Sequence, residues 1–247
     1  METFNPPFEL VKQVKKTITM PSSVPQYTSF AFILFLFVFF SCGQRTGENQ
    51  STANEQEEKV QVKAERKMIL FFGNSLTAAW GLEPEEGFTG IIQQRIDSLG
   101  LDYQVINGGL SGETTASGLN RLDWFLEDEP SIFVLELGGN DGLRGIPVAE
   151  TKKNLEQIIQ KVQEKYPETV ILLAGMQIPP NMGRAYSEEF RAIFPDLAND
   201  RNVTLIPFLL EGVAGEPDLN LPDGIHPTKE GHQIVAETVW GYLEPLL

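Results

Sequence analysis

Three residues of this 247-residue chain, Ser75, Asp223 and His226, have the types and settings for nucleophilic chemistry. Ser75 follows an apolar run, residues 68–72 (MILFF), through Gly73 and Asn74. An apolar run that stops at a glycine reads as a buried strand of a parallel sheet. Glycine and asparagine then let the backbone turn sharply. A side chain just past the C-terminal end of a strand stands where open α/β sheets bind ligands. A helix starting soon afterwards would point its free N–H groups and positive dipole end at the serine. Far along the chain, Asp223 stands three residues before His226 in Asp223-Gly224-Ile225-His226-Pro227. On a turn, an acid so placed reaches the imidazole Nδ1, fixes the tautomer and stabilises the imidazolium. That leaves Nε2 to face a serine hydroxyl. Pro227 suits the first position of a following helix. Taken alone, Asn74-Ser75 is equally a turn or an N-cap, and Asp223 with His226 is equally a surface pair capping the last helix.

What the chain lacks narrows the chemistry. His226 and His232 are its two histidines, and Cys42 is its one cysteine. No intrachain disulfide and no C-x-x-C site is therefore available. There is no H-E-x-x-H pattern and no third ligand to join the two histidines, so no metal site is expected. His232 falls within the expected last helix, with Lys229 rather than an acid three residues before it, and reads as structural. The balance of 19 Lys+Arg against 34 Asp+Glu, net −15, leaves no basic footprint for nucleic acid.

These residues need a frame, and the chain from residue 67 supplies one. Apolar runs at 68–72, 103–106, 132–137, 169–174 and 203–206 read as five strands. Amphipathic stretches at 85–98, 114–125, 148–166, 184–199 and 228–242 read as helices between and after them. Over 148–166, Leu155, Ile158, Ile159 and Val162 recur at helical spacing. The alternation predicts an α/β fold: three α/β/α layers around a five-stranded parallel sheet, as one domain over 67–247. Three glycine-rich loops, 107–115, 138–145 and 176–183, each follow a strand. In a parallel sheet they share an edge with Ser75.

Four blocks in this order resemble the SGNH (GDSL-type) hydrolases. They are Gly73-Asn74-Ser75-Leu76, Ser111-Gly112-Glu113-Thr114, Gly138-Gly139-Asn140-Asp141 and Asp223-Gly224-Ile225-His226-Pro227. Within that family, the stretches ELGGNDGLRG, MQIPPNMGRAY and DGIHP are most similar to the thioesterase I, lysophospholipase L1 and arylesterase branch. The resemblance covers nearly all of 67–247 and implies a flavodoxin-like fold with no metal or organic cofactor. It implies Ser75 as nucleophile, with Asp223 and His226 as acid and base. It further implies an oxyanion hole made of the Ser75 N–H, the Gly112 N–H and the Asn140 amide. The expected activity is hydrolysis of carboxylic acyl esters or thioesters, of the arylesterase, acyl thioesterase or lysophospholipase kind, through an acyl-serine. The same family also hosts carbohydrate O-deacetylases. Outside enzymes, the alternative is a silent lipid- or glycan-binding lipoprotein, which the intact set of site residues argues against. Met176, Ile178, Pro179, Met182 and Tyr186 would give a mostly apolar wall, suited to a small-molecule or lipid acyl group. One residue departs from the pattern: Asn74 stands where the common form has aspartate. The amide keeps the shape and reach of the acid and loses its charge. Since that aspartate is not the triad acid, activity is expected to survive, with a changed local field and pH dependence.

The first part of the chain is not expected to be fold. Residues 30–40 (FAFILFLFVFF) are eleven apolar residues without a charge. A membrane-spanning helix needs about 20, whereas a run of this length suits the apolar region of an export signal. It ends in Phe40-Ser41-Cys42-Gly43, which resembles a bacterial lipobox, with Cys42 lipidated as the mature N-terminus. Residues 1–41 are thus expected to be a lipoprotein-type signal, and 42–66, nearly free of large apolar residues, a polar tether. The domain would sit at the bacterial cell envelope, periplasmic or outer-membrane associated. A lipid anchor at Cys42 would hold it there, and it would act as a monomer.

Overall fold

The computed structural model describes residues 66–247; the expected signal, Cys42 and the tether up to residue 65 lie outside the described residues. Five strands form one parallel sheet in the order β2-β1-β3-β4-β5. They are β1 Lys67–Gly73, β2 Tyr103–Gly109, β3 Ile132–Glu136, β4 Val170–Ala174 and β5 Thr204–Ile206. The order reverses direction between β1 and β3, and the crevice outside the strand ends at such a point is where open α/β sheets hold ligands. Strand β1 has its partners level on both sides, since Gly73 pairs with Gly109 and with Glu136. The three loops that leave β1, β2 and β3 therefore start from one edge.

Helices flank the sheet in two groups. Helix α1 (Phe88–Ser98) packs on α6 (Lys229–Leu243), while α2 (Thr115–Arg121) packs on α4 (Val148–Lys165) and α4 on α5 (Arg184–Arg201). The expected three-layer α/β fold with a five-stranded parallel sheet is the one found. Covering on both faces explains the long apolar runs of the inner strands β1, β3 and β4. Ile69 to Phe72 expose nothing, and all five residues of β3 are buried, the last of them an acid, Glu136. On α4 the stripe of Leu155, Ile158, Ile159 and Val162 is fully buried, as its spacing requires.

The differences from expectation lie near the site. Strand β2 continues through Asn107, Gly108 and Gly109, because those residues go on pairing with Phe71, Phe72 and Gly73. The helix expected over 85–98 is a single 3₁₀ turn, Pro84–Glu86, and then α1; Gly87 between them is extended. The helix expected over 114–125 is α2 followed by a 3₁₀ turn, Leu122–Phe125. An unexpected short helix, α3 (Gly139–Leu143), occupies the loop after β3, entered through Gly138 at φ 110°. No regular helix follows Ser75 until α1: the segment closes only turns, Ala78 N–H to the Asn74 carbonyl and Trp80 N–H to that of Ser75. The expected helix dipole at the serine is therefore not what this fold provides.

Candidate active site

Two loops from opposite ends of the chain meet at Ser75. The first leaves β1 through Gly73, where a Cβ would overlap Thr77 Oγ1 and the Glu136 carboxylate, so only glycine fits. The second is a turn built by its own aspartate. Asp223 Oδ1 accepts from the backbone N–H groups of Ile225 and His226, both at 3.0 Å, and Gly224 takes φ 75°. Below the turn, Leu221 N–H donates to the His226 carbonyl at 2.7 Å and Thr228 N–H to that of Leu219 at 2.9 Å. Thr228, not Asp223 or His226, caps α6, accepting from Gly231 N–H. Pro227 therefore stands before the cap rather than at the first helical position.

Asp223 Oδ2 lies 2.7 Å from His226 Nδ1, and His226 Nε2 lies 2.8 Å from Ser75 Oγ. A carboxylate facing Nδ1 places the ring proton there and leaves Nε2 bare to accept from the serine hydroxyl. Burial works to raise the Asp223 pKa. The Ile225 and His226 N–H groups and the imidazole outweigh it and hold the carboxyl below its ordinary range. The Trp80 ring lies over the imidazole, centres 4.5 Å apart, so an imidazolium formed there would rest against a π face.

Ser75 and Asn140 line one cavity, and Asn140 is the second residue of α3. Its Nδ2 donates to the Glu113 carbonyl at 3.0 Å, which leaves that nitrogen a second N–H. Gly112, exposed and at φ 80°, does not line the cavity; its carbonyl accepts from Arg144 Nη2 at 2.9 Å. Neither the Ser75 nor the Gly112 N–H donates to a protein group among the described residues. Two buried acids hold these loops together. Glu113 is ion-paired with Arg121, whose guanidinium also donates to the carbonyls of Gly73 and Gly108. Asp141 accepts from Thr115 N–H at 2.9 Å and Thr115 Oγ1 at 2.5 Å, and burial outweighs these bonds to raise its pKa.

The cavity measures about 500 Å³, and its lining is mostly apolar. Met176, Ile178 and Pro179 line it as expected. Met182 and Tyr186 do not: Tyr186 belongs to α5, where its hydroxyl donates to the Ile146 carbonyl at 2.6 Å and its ring packs by Phe190. Leu143, Phe208, Leu210 and Ile225 complete the wall instead.

Residues 71–234 match the family model described as the GDSL-like lipase/acylhydrolase family. The chain belongs to that family. It is 40% identical over 186 residues to esterase TesA of Pseudomonas aeruginosa, covering 75% of this chain and 92% of that protein. The crystal structure of TesA superposes with a TM-score of 0.70 at 41% identity, covering 73% and 100% of the two chains. Thioesterase 1/protease 1/lysophospholipase L1 of Escherichia coli is 36% identical over 180 residues, covering 72% of this chain and 84% of that one. The psychrotrophic esterase EstA from Pseudoalteromonas sp., inhibited by monoethylphosphonate, gives a TM-score of 0.69 at 36% identity over 72% and 97%.

In this GDSL-like chain one further group at the site went unread in the sequence. Glu136, 1% exposed at the end of β3, accepts from Asn74 N–H at 3.0 Å, Asn74 Nδ2 at 2.6 Å and Thr77 Oγ1 at 2.9 Å. Burial pushes its carboxyl up to about 7, against the pull of these donors. The signal was a lone acid inside the otherwise apolar run IFVLEL.

Proposed function

We propose that the chain hydrolyses carboxylic esters, and thioesters of the same acyl groups, through an acyl-Ser75 intermediate. One observation carries this: an unbroken hydrogen-bonded path from Asp223 through His226 to the Ser75 hydroxyl, ending at an apolar cavity. As Ser75 Oγ attacks the acyl carbon, its proton passes to His226 Nε2 and the carbonyl electron pair moves onto oxygen. The Ser75 N–H and Asn140 Nδ2, both at the cavity, receive that oxyanion, and the family resemblance adds the Gly112 N–H as a third donor although Gly112 is not among the lining residues. When the tetrahedral adduct collapses, the imidazolium gives its proton to the leaving alkoxide or thiolate. Water, deprotonated by His226, then attacks the acyl-serine, and the acid is released with the serine restored. Asp223 keeps the imidazole in the tautomer that both halves require.

The wall of Met176, Ile178, Pro179, Phe208 and Ile225 suits aliphatic or aryl acyl groups. That range agrees with relatives named esterase and thioesterase/lysophospholipase. A panel of p-nitrophenyl esters from acetyl to palmitoyl, with acyl-CoA and acetylated xylan alongside, tests the reading. Turnover of medium or long chains is expected, with Ser75→Ala lowering it by about 10⁶. Retained turnover in Ser75→Ala would remove the serine assignment. Turnover of acetyl groups alone would replace the reading with an O-deacetylase. The same proposal has the chain exported to the bacterial envelope, anchored through acyl chains on Cys42 and acting as a monomer. Its support is the apolar run before Ser41-Cys42 and the polar stretch after it. Cys42→Ala should move the protein from the membrane to the soluble fraction.

A further inference from the structure

We propose that Asn74 and Glu136 are a polarity-matched pair that fixes the nucleophile turn, with Glu136 as a positioning residue for Ser75. The inference rests on Ser75 being the nucleophile. Every group that hydrogen-bonds to Glu136 is a donor: the Asn74 N–H and Thr77 Oγ1 at Oε2, and Asn74 Nδ2 at Oε1. The orientation of the Asn74 amide is not free. Its Oδ1 lies 3.0 Å from Leu76 N–H, and a backbone N–H can only donate, so Nδ2 has to face Glu136. Oδ1 also lies 3.4 Å from Ser75 Oγ. The one amide thus ties the turn forward to Leu76 and back to the end of β3.

No other charged side chain shares this bond set. Among the described residues, Asn74 and Thr77 alone hydrogen-bond to the Glu136 carboxylate. Arg121, already paired with Glu113, touches the same turn only at the Gly73 carbonyl. Thr77 Oγ1 and the Glu136 carboxylate both crowd the point where a Cβ on Gly73 would stand, so the turn packs closely against the acid. What the pair controls is the 2.8 Å contact between Ser75 Oγ and His226 Nε2. Misplacing a reacting group by about 1 Å can lower a rate about a hundredfold.

The pairing makes a specific demand on residue types. Aspartate at position 74 would set two carboxylates at hydrogen-bonding distance, tolerable only while they share a proton. Glutamine at 136 would set one amide NH₂ against another; flipping Asn74 would relieve that contact only by turning NH₂ toward Leu76 N–H. Exchanging both restores every bond. In Asn74→Asp/Glu136→Gln the amide donates to the new carboxylate, which accepts from Leu76 N–H at its other oxygen. The amide oxygen keeps the two donors at the former Oε2.

The test is kcat and KM for a p-nitrophenyl ester, from the acid side of neutral to about pH 9, with melting temperatures measured alongside. Glu136→Gln should lower kcat about ten- to a hundredfold toward pH 9 with KM little changed, and by less on the acid side of neutral, where Glu136 itself carries a proton. Asn74→Asp should stay active at the acid end and lose activity along an alkaline limb that wild type lacks. The double variant should return to within about threefold of wild type without that limb. A double variant no better than Glu136→Gln, or an Asn74→Asp profile that superposes on wild type, would overturn the pairing. If Glu136→Gln does not fold, the Asn74→Asp profile and the double variant decide between the same two outcomes. Turnover retained in Ser75→Ala would instead remove the nucleophile itself, a separable failure.

Discussion

His226 and His232 belong to the same stretch of chain, around the start of α6, and face opposite chemical worlds. His226 stands ahead of the helix cap, half-buried, with the Asp223 carboxylate on Nδ1. His232 lies inside the helix, 1% exposed, with the Phe88 N–H pointing at Nδ1 from 3.2 Å. A carboxylate at Nδ1 requires a proton there, so Nε2 keeps its lone pair for Ser75 and the ring can gain a second proton. A backbone donor at Nδ1 requires that nitrogen bare, so the proton sits on Nε2 and a second would break the bond. The Phe88 N–H is one of the unpaired donors of the first turn of α1, whose N-cap, Gly87, has no side chain to offer. His232 therefore serves as a cap supplied from another helix. Burial, with the nearby His226 adding to it, drives its pKa down to about 4. What faces Nδ1 decides which histidine moves protons.

The comparison breaks most visibly by removing each ring in turn. His226→Ala should lower kcat by about 10⁶ while the melting temperature stays near wild type, because the ring is only half-buried and the Asp223 and Trp80 beside it are exposed. His232→Asn, which keeps an acceptor near the Nδ1 position, should lower the melting temperature and leave kcat within about threefold. If the two variants exchanged these effects, the assignment of roles would be wrong. A smaller effect follows from the carboxylate itself. Asp223→Asn can leave the shape of the turn in place, yet it allows the amide to donate to Nδ1 and sends the proton to Nε2. A drop of about 10⁴ in kcat with little change in KM is expected. An effect on KM alone would show that Asp223 shapes the cavity rather than the tautomer.

Much of this was legible because it obeys local rules. Ser75 closes an apolar strand, and Asp223 and His226 lie on one short turn, so spacing alone brought the acid to the base. The parallel sheet put Ser75 and Asn140 at one edge. Where reading failed, distance along the chain stood in for distance in space. Met182 and Tyr186 follow Met176–Pro179 closely, yet α5 carries Tyr186 to the Ile146 carbonyl. The wall is finished from other loops, by Leu143, Phe208 and Ile225. Helix α3 hid because five residues with two glycines show no period. The helix expected behind Ser75 did not form. Its place as support for the serine is taken by the buried Glu136, announced only as the one acid in the apolar run IFVLEL.

The acid side of neutral tests the buried histidine through stability. In the unfolded chain a histidine titrates near 6.5, and in the fold His232 titrates at about 4. Between those values the unfolded state binds the proton and the native state does not. The contribution of His232 is therefore complete above about pH 6.5 and is lost as the pH falls toward 4. The gap corresponds to at most about 3 kcal/mol. Glu136 works in the opposite sense. Raised from 4.5 to about 7, its contribution is present at acid pH and lost as the pH rises through neutrality. The two slopes overlap, so the stability of wild type alone cannot separate them. The difference between wild type and His232→Asn can, since Glu136 is common to both. In urea unfolding, that difference should be widest above pH 6.5 and shrink steadily toward pH 4. A difference that stays constant across the range would mean that His232 does not resist protonation in the fold, and that neither burial nor the Phe88 N–H holds the ring neutral.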